Sequence, residues 1–333
     1  MALMVALTGC TGTHSALDPA STEARQISGL WWLYFDVTAV VFVLVVVFLL
    51  VAFWRGRGTA GAAELPAPNV TITEMSEPRV WGFVNACIAA TVLVLFGLLL
   101  ADFYTGRSLA PSYAPDTLAI KVTGHQWWWE FEYQDPVAGN IIQTANELHV
   151  PAGRAVELLL NSNDVIHSFW VPSLQGKKDL VPGHPTSLWL NLDRPGVYDG
   201  QCAEFCGLQH AQMNLRLVVE TPAQFAAWQQ AQRAMPPVPS TDRQRRGQQV
   251  FLTRSCVLCH TIAGTPAGSR VGPALSHLAS QPMIGANAFP NTPELLRRWI
   301  HNAPAMKPGV RMPQNELTPE DMDALLDYLS TLK

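Results

Sequence analysis

Charge is scarce in this chain. Only 14% of its 333 residues are Asp, Glu, Lys or Arg, against 48% hydrophobic, a balance too apolar for a wholly soluble protein or a disordered one. There is no basic excess either: 22 Lys and Arg face 26 Asp and Glu, a net charge of -4, so a grip on nucleic-acid phosphates is excluded. Cysteine is limited to six residues, too few for a disulfide scaffold at this length. Their placement carries the information. Two close pairs have histidines at short spacing, and two cysteines lie alone in apolar surroundings. At roughly 100 to 200 residues per domain, the length allows two or three folded units.

From Leu30 to Trp54 the chain is almost continuously Val, Leu, Phe and Trp, long enough as a helix to cross a hydrocarbon core of about 30 Å. A second run, Val80 to Phe103, has Trp81 near its start and Tyr104 at its end, as aromatic anchoring at two interfaces predicts. Cys87 inside that run reads as a small packing residue. Arg55 and Arg57 close the first span and Arg79 opens the second, so the connecting loop is predicted to be cytoplasmic and both ends of the chain to lie outside. Leu7-Thr8-Gly9-Cys10 resembles a bacterial lipoprotein cleavage box, which would leave a diacylated Cys10. No Lys or Arg precedes the box, although a signal peptide carries a positive leading region.

Between Leu118 and Glu220 short alternating segments appear, with Trp127, Trp129, Phe131 and Tyr133 at period two. This is the grammar of a β-sandwich or barrel. Glu147-Leu148-His149-Val150 and Val156-Glu157-Leu158-Leu159 flank Pro151-Ala152-Gly153-Arg154 and read as a hairpin. Further strands are expected at Ser187 to Leu192 and Met213 to Val219. The loop before the last strand carries Cys202, Cys206, His210 and Met213, and His167 stands upstream. Two thiolates, two imidazoles and a thioether form a soft ligand set that favours copper. A Cys202 to Cys206 disulfide and a Cys2His2 zinc site are the alternatives, and neither accounts for Met213.

A helix is predicted from Pro222 to Met235, followed by the linker Pro236-Pro237-Val238-Pro239-Ser240. Asp242 to Thr253 then leads as a helix into Cys256-Val257-Leu258-Cys259-His260, the C-x-x-C-H signature of covalent haem attachment. Cys256 and Cys259 would add to the haem vinyl groups, and His260 would take one axial iron position. Met312 is the predicted sixth ligand, ahead of Met283, Met306 and Met322. It lies in Lys307-Pro308-Gly309-Val310-Arg311-Met312-Pro313, which resembles the Met-ligand loop of class I cytochromes c. A final amphipathic helix spans Pro319 to Leu332, with Met322 in its packing face. The histidines at 14, 125, 149, 184, 277 and 301 form no ligand spacing.

The two spans, the run Gly124-His125-Gln126-Trp127-Trp128-Trp129-Glu130-Phe131-Glu132-Tyr133, the stretch Asp164 to Ser173 and the segment Pro195-Gly196 through Met213 resemble subunit II of the haem-copper respiratory oxidases. The resemblance implies a dinuclear copper A centre in a cupredoxin-like domain. Cys202 and Cys206 would bridge both coppers. His210 and the backbone carbonyl of Glu204 would complete one copper, His167 and Met213 the other. It also implies a magnesium site shared with subunit I through the Glu204 carboxylate, and electron entry at Trp127, with Trp128 as the local alternative. Glu77, or Glu74, becomes the candidate mouth of a proton channel before the second span.

The expected chain is therefore a multidomain membrane protein. A signal and N-terminal segment (1–29) precedes two spans (30–54 and 80–104) joined by a cytoplasmic loop (55–79). A cupredoxin-like β-sandwich (105–221), a helix and linker (222–241) and an all-α class I cytochrome c domain (242–333) follow. Its expected partners are oxidase subunits I and III, membrane lipid and an external donor such as a cytochrome c, with no nucleic acid. The expected location is the bacterial plasma membrane with both redox domains outside. Electrons would pass from haem c through copper A to an oxygen site in subunit I. Competing readings are a copper A subunit of a nitric oxide reductase and a membrane-tethered carrier or copper-delivery protein.

Overall fold

The computed structural model describes residues 12, 14–57, 77–109, 116–174 and 176–333. The chain divides into two bodies, residues 25–110 and the remainder. In the first body, α1 (Thr22–Arg57) and α2 (Glu77–Ser108) are each long and apolar enough to cross a membrane. Large side chains such as Phe42, Leu44, Phe48 and Leu93 are exposed along them, as helices apolar all round require of a lipid-facing surface. Glu77 stands at the first position of α2, whereas Cys10 and Glu74 lie outside the described residues.

The second body begins with a sandwich of two five-stranded sheets. One has the order β3-β2-β1-β5-β8 and contains β1 (Leu118–His125), β2 (Trp128–Tyr133), β3 (Ile142–Ala145), β5 (Ala155–Ser162) and β8 (Thr186–Asn191). The other, ordered β4-β10-β9-β6-β7, contains β4 (Glu147–Pro151), β6 (His167–Trp170), β7 (Lys178–Leu180), β9 (Gly196–Cys202) and β10 (Asn214–Glu220). Alternation decides the inner faces: Ile120 and Val122 of β1, Leu158 and Leu160 of β5, and Leu215 and Leu217 of β10 are buried between the sheets.

The predicted hairpin across Pro151–Arg154 does not form. β4 pairs with β10 and β5 pairs with β1, each in parallel, so the turn carries the chain from one sheet to the other. Both strands have apolar inner faces, and a turn that changes sheets buries each against the opposite layer while its own amides are met by Glu220 and Leu192 carbonyls.

α3 (Pro222–Arg233) closes the sandwich, with Thr221 and Gln224 in a reciprocal cap and Phe225 buried. After residues 234–241 the haem domain packs α4 (Asp242–Thr253), α5 (Pro293–Met306) and α6 (Pro319–Leu329), with a two-stranded ribbon of β11 (Met283–Ile284) and β12 (Phe289–Pro290). Phe251 of α4 and Met322, Leu325 and Tyr328 of α6 share its core, which places Met322 in packing as expected.

A sulfur and imidazole cluster facing a c-type haem domain

Antiparallel pairing of β6 with β9 sets Phe169 opposite Cys202, which brings His167, the first residue of β6, to the end of β9 where the cysteine loop begins. The loop returns into β10 directly after Met213. Within this corner Cys202 Sγ lies 3.8 Å from Cys206 Sγ and 3.2 Å from the backbone carbonyl oxygen of Glu204. Cys206 Sγ is 3.6 Å from His210 Nδ1 and 3.8 Å from Met213 Sδ, and Cys202 Sγ is 3.9 Å from His167 Nδ1. At that separation the two thiols are unbonded. His167 and Met213 are wholly buried, and His167, Cys202 and Cys206 are grouped closely enough to hold one ion. The glutamate carboxylate is exposed and accepts from the Phe205 amide at 3.2 Å.

Gly124 on β1 makes room for the imidazole: a Cβ there would stand 2.8 Å from His167 Cδ2. Asp164 fixes the ring from behind, its carboxylate lying 2.8 Å from His167 Nε2 and accepting from the Gln126 amide at 2.7 Å. This leaves Nδ1 facing the sulfurs, the arrangement that orients a metal-binding histidine. Burial opposes charge on His167, but Asp164 and Cys202 outweigh it and its pKa rises above the usual value. The contact with Cys206 holds the Cys202 thiol well below its ordinary range, against burial, while the same contact and then burial push Cys206 well above it. Two adjacent buried sulfurs resist carrying two negative charges unless a cation shares them. A soft, convergent set with one backbone oxygen fits a copper pair.

Trp127 is displaced from the face where strict alternation would put it. β2 begins at Trp128, so Trp129, Phe131 and Tyr133 are buried in the core while Trp127 sits in the connection from β1, half-buried. Its Nε1 donates to the Cys206 carbonyl at 2.9 Å. Trp128 instead stacks on His125 with ring centroids 4.2 Å apart.

In the haem domain Cys256 and Cys259 lie on and just after a 3₁₀ turn, Ser255–Leu258. The His260 ring sits 2.7 Å by its Nδ1 from the Pro273 carbonyl, which leaves Nε2 for iron, and burial lowers its pKa so that the neutral ligand form is favoured. Met312 packs against the apolar core together with Leu275 and Trp299. Two free thiols, an oriented imidazole and a thioether around an apolar core fit a covalently held haem.

Several contributors escaped the sequence analysis. Asp164 and Gln126 support the cluster. Arg270 binds Glu130 at 2.8 Å and Glu132 at 2.7 Å across the boundary between sandwich and haem domain, and Lys307 is buried at that boundary. The two acids on alternate positions of β2 are a readable signal, because they leave one face charged and in need of a basic partner.

A cupredoxin-type sandwich with this loop, joined to a c-type cytochrome, defines a two-centre electron carrier. Residues 136–221 match the cytochrome c oxidase subunit II periplasmic domain, and residues 244–333 match cytochrome c. Cytochrome c oxidase subunit 2 of Alkalihalophilus pseudofirmus is 34% identical over 99% of this chain and 95% of its own length. That of Bacillus sp. (strain PS3) is 34% identical over 66% of this chain and 63% of its own. The crystal structure of the periplasmic domain of subunit II of cytochrome oxidase of Bradyrhizobium japonicum is 29% identical, covers 37% of this chain and 96% of that one, and superposes with a TM-score of 0.34. The chain belongs to the cytochrome c oxidase subunit 2 family, in a form that carries its own cytochrome c domain.

Proposed function

We propose that the chain takes electrons from an external donor at its haem domain and hands them through the cysteine loop to the oxygen-reducing subunit I of a respiratory oxidase. The convergence of Cys202, Cys206, His167, His210 and Met213 at the face that meets the haem domain carries this reading. His167, Cys202, Cys206, His210, Met213 and the Glu204 carbonyl would hold the copper pair, the two thiolates as its central donors. Cys256, Cys259, His260 and Met312 would hold haem c. When loaded, the two sites would supply one-electron carriers. The protein's own part is to fix ligands, exclude water and set the approach of the two domains.

Trp127, joined to the Cys206 carbonyl, is the entry residue in preference to Trp128. The exposed Glu204 carboxylate serves a magnesium ion shared with subunit I, since a hard oxygen donor suits that ion. Glu77 marks the mouth of a proton path, and Cys10 carries lipid. Subunit III and a bacterial plasma membrane complete the setting, with both redox domains outside. The named relatives are all oxidase subunits, which favours oxygen over nitric oxide as the final acceptor. Metal and haem analysis of the isolated complex, combined with oxygen-consumption and nitric oxide assays, tests the proposal. Two coppers and one covalent haem per chain in an oxygen-consuming complex are expected; nitric oxide reduction alone would overturn the choice of acceptor.

A further inference from the structure

The loop that ends in Met312 is also where the haem domain meets the cysteine loop. Lys307, 1% exposed, donates from Nζ to the Gln212 carbonyl at 2.9 Å and to the Gly285 carbonyl at 2.8 Å. The Pro308 carbonyl accepts from Gln209 Nε2 at 2.6 Å. Gly309 has a φ of +92°, a left-handed conformation that favours glycine, and a Cβ on it would stand 2.7 Å from Leu208 Cδ1, so the two loops touch there. The Arg311 guanidinium binds Gln126 Oε1 and lies 3.9 Å from the Asp164 carboxylate.

The partners on the sandwich side all lead to the sulfur cluster. Gln212 immediately precedes Met213 in sequence. Gln126 donates from Nε2 to the Cys206 carbonyl at 2.8 Å and from its backbone N–H to Asp164, which in turn holds His167. The ammonium of Lys307 has two carbonyl acceptors and, among the described residues, no carboxylate within ion-pair distance; desolvation lowers its pKa to about 8. A buried cation on neutral acceptors is a poor way to gain stability. Its hydrogen bonds do fix two backbone segments, one on each side of the boundary, in a single register. Arg311 is four residues further along the loop and mostly exposed, so its ion pair alone contributes little. Its geometry matters more, because a planar fork reaches Gln126 and Asp164 together where a lysine would reach one.

We propose that Lys307 and Arg311 are positioning residues that key the Met312 loop onto the cysteine loop, Lys307 through the Gln212 carbonyl beside Met213 and Arg311 through the Gln126 and Asp164 pair behind Cys206 and His167. This rests on the reading of those loops as the copper and haem sites. Two cationic groups set against the cysteine loop also favour electron arrival there, so docking raises the reduction potential of that site.

The test uses the full-length protein in its complex, with Lys307→Met, Arg311→Gln and Arg311→Lys. Three quantities are read: amide hydrogen exchange of residues 208–213, the copper midpoint potential from a spectroscopic titration, and the flash-induced transfer rate between the two sites. Arg311→Gln is expected to lower the potential, raise exchange in the cysteine loop and slow transfer by about tenfold, the effect of losing a charge-assisted hydrogen bond. Arg311→Lys is expected to restore the potential but not the rate. Lys307→Met is expected to raise exchange in the same loop. If it also loses the methionine-to-iron absorption band, the exposed Arg311 variants decide. Wild-type transfer with exchange, potential and rate all indifferent to these variants overturns the positioning role alone. Absence of transfer in the wild type overturns the functional reading and this proposal with it.

Discussion

The indole Nε1 of Trp127 donates a 2.9 Å hydrogen bond to the backbone carbonyl of Cys206, tying a half-buried aromatic ring directly to one of the two central sulfur residues. Trp128, one position on, has no such link and stacks on His125. Trp127→Phe should therefore slow copper reduction markedly and lower stability by about 1 kcal/mol for the lost hydrogen bond. Trp128→Phe should leave the reduction rate close to wild type. Stopped-flow reduction of both variants checks the assignment, and equal slowing would remove Trp127 from its place as entry residue.

Substitutions in the cluster should separate bridging from terminal donors. Cys202→Ser removes a sulfur that lies near His167, Cys206 and the Glu204 carbonyl together, and should abolish the dinuclear mixed-valence EPR signal. Met213→Leu nearly conserves volume at a fully buried position, so the fold should lose less than about 1.5 kcal/mol. Its signal should shift in potential and hyperfine pattern while both coppers remain. An unchanged dinuclear spectrum in Cys202→Ser would refute the bridge.

For the haem, mass spectrometry should find one group bound through Cys256 and Cys259, with a low-spin reduced spectrum. Met312→Ala should lose the methionine-to-iron band and open the site to exogenous ligands, whereas Met306→Ala, at the end of α5, should keep it. The reverse result would redraw the ligand loop.

Docking of the haem domain should weaken with acid. Burial raises the pKa of Glu130, but hydrogen bonds and charge from His125 and Arg270 outweigh it and hold the carboxyl below its ordinary 4.5; Glu132 is likewise lowered through Gln134 and Arg270. Folded values below the free value mean that the contribution is complete above pH 4.5 and is lost as pH falls through the lowered values. Because half of the Arg270 side chain is exposed, the loss should be about 1 kcal/mol or less for each pair and should shrink in high salt. Hydrogen exchange at the boundary, followed from neutral pH downward, checks the sign: tighter docking in acid would contradict it.

Where chemistry is local, the sequence was readable. The C-x-x-C-H motif, the capped helices from Asp242 and Pro319, and the alternation through Trp129, Phe131 and Tyr133 all depend on neighbours in the chain. The spacing of Cys202, Cys206, His210 and Met213 likewise places four side chains of one loop together. Partners that lie far apart in the chain were hidden. Asp164 reaches Gln126 across 38 positions, Arg270 reaches Glu130 across 140, and Lys307 meets Gln212 across 95. The Pro151–Arg154 turn was misread for a related reason, because turn chemistry alone does not say which sheet receives the next strand.

The two carriers share one chain, and the consequence is kinetic. α3 ends at Arg233 and α4 begins at Asp242, so residues 234–241 are the whole tether. A flexible segment of that length has a root-mean-square span of about 15 Å, somewhat more where its prolines stiffen it. His277 of the haem domain also lies 3.0 Å by its Nε2 from the Gln232 carbonyl on α3, so the tether is pinned close to its origin. The haem domain should therefore face the cysteine loop at an effective concentration on the order of millimolar, and internal transfer should not depend on enzyme concentration. Doubling the tether with Gly and Ser should lower that concentration only about threefold. If the loop contacts at Lys307 and Arg311 dominate docking, the rate should change less than that. Removing the chain beyond Ser240 should abolish the internal route while leaving the copper site assembled and reducible by artificial donors. Flash kinetics over a dilution series decides the matter: an internal rate that rises in proportion to the concentration of the complex would sink the tethered relay.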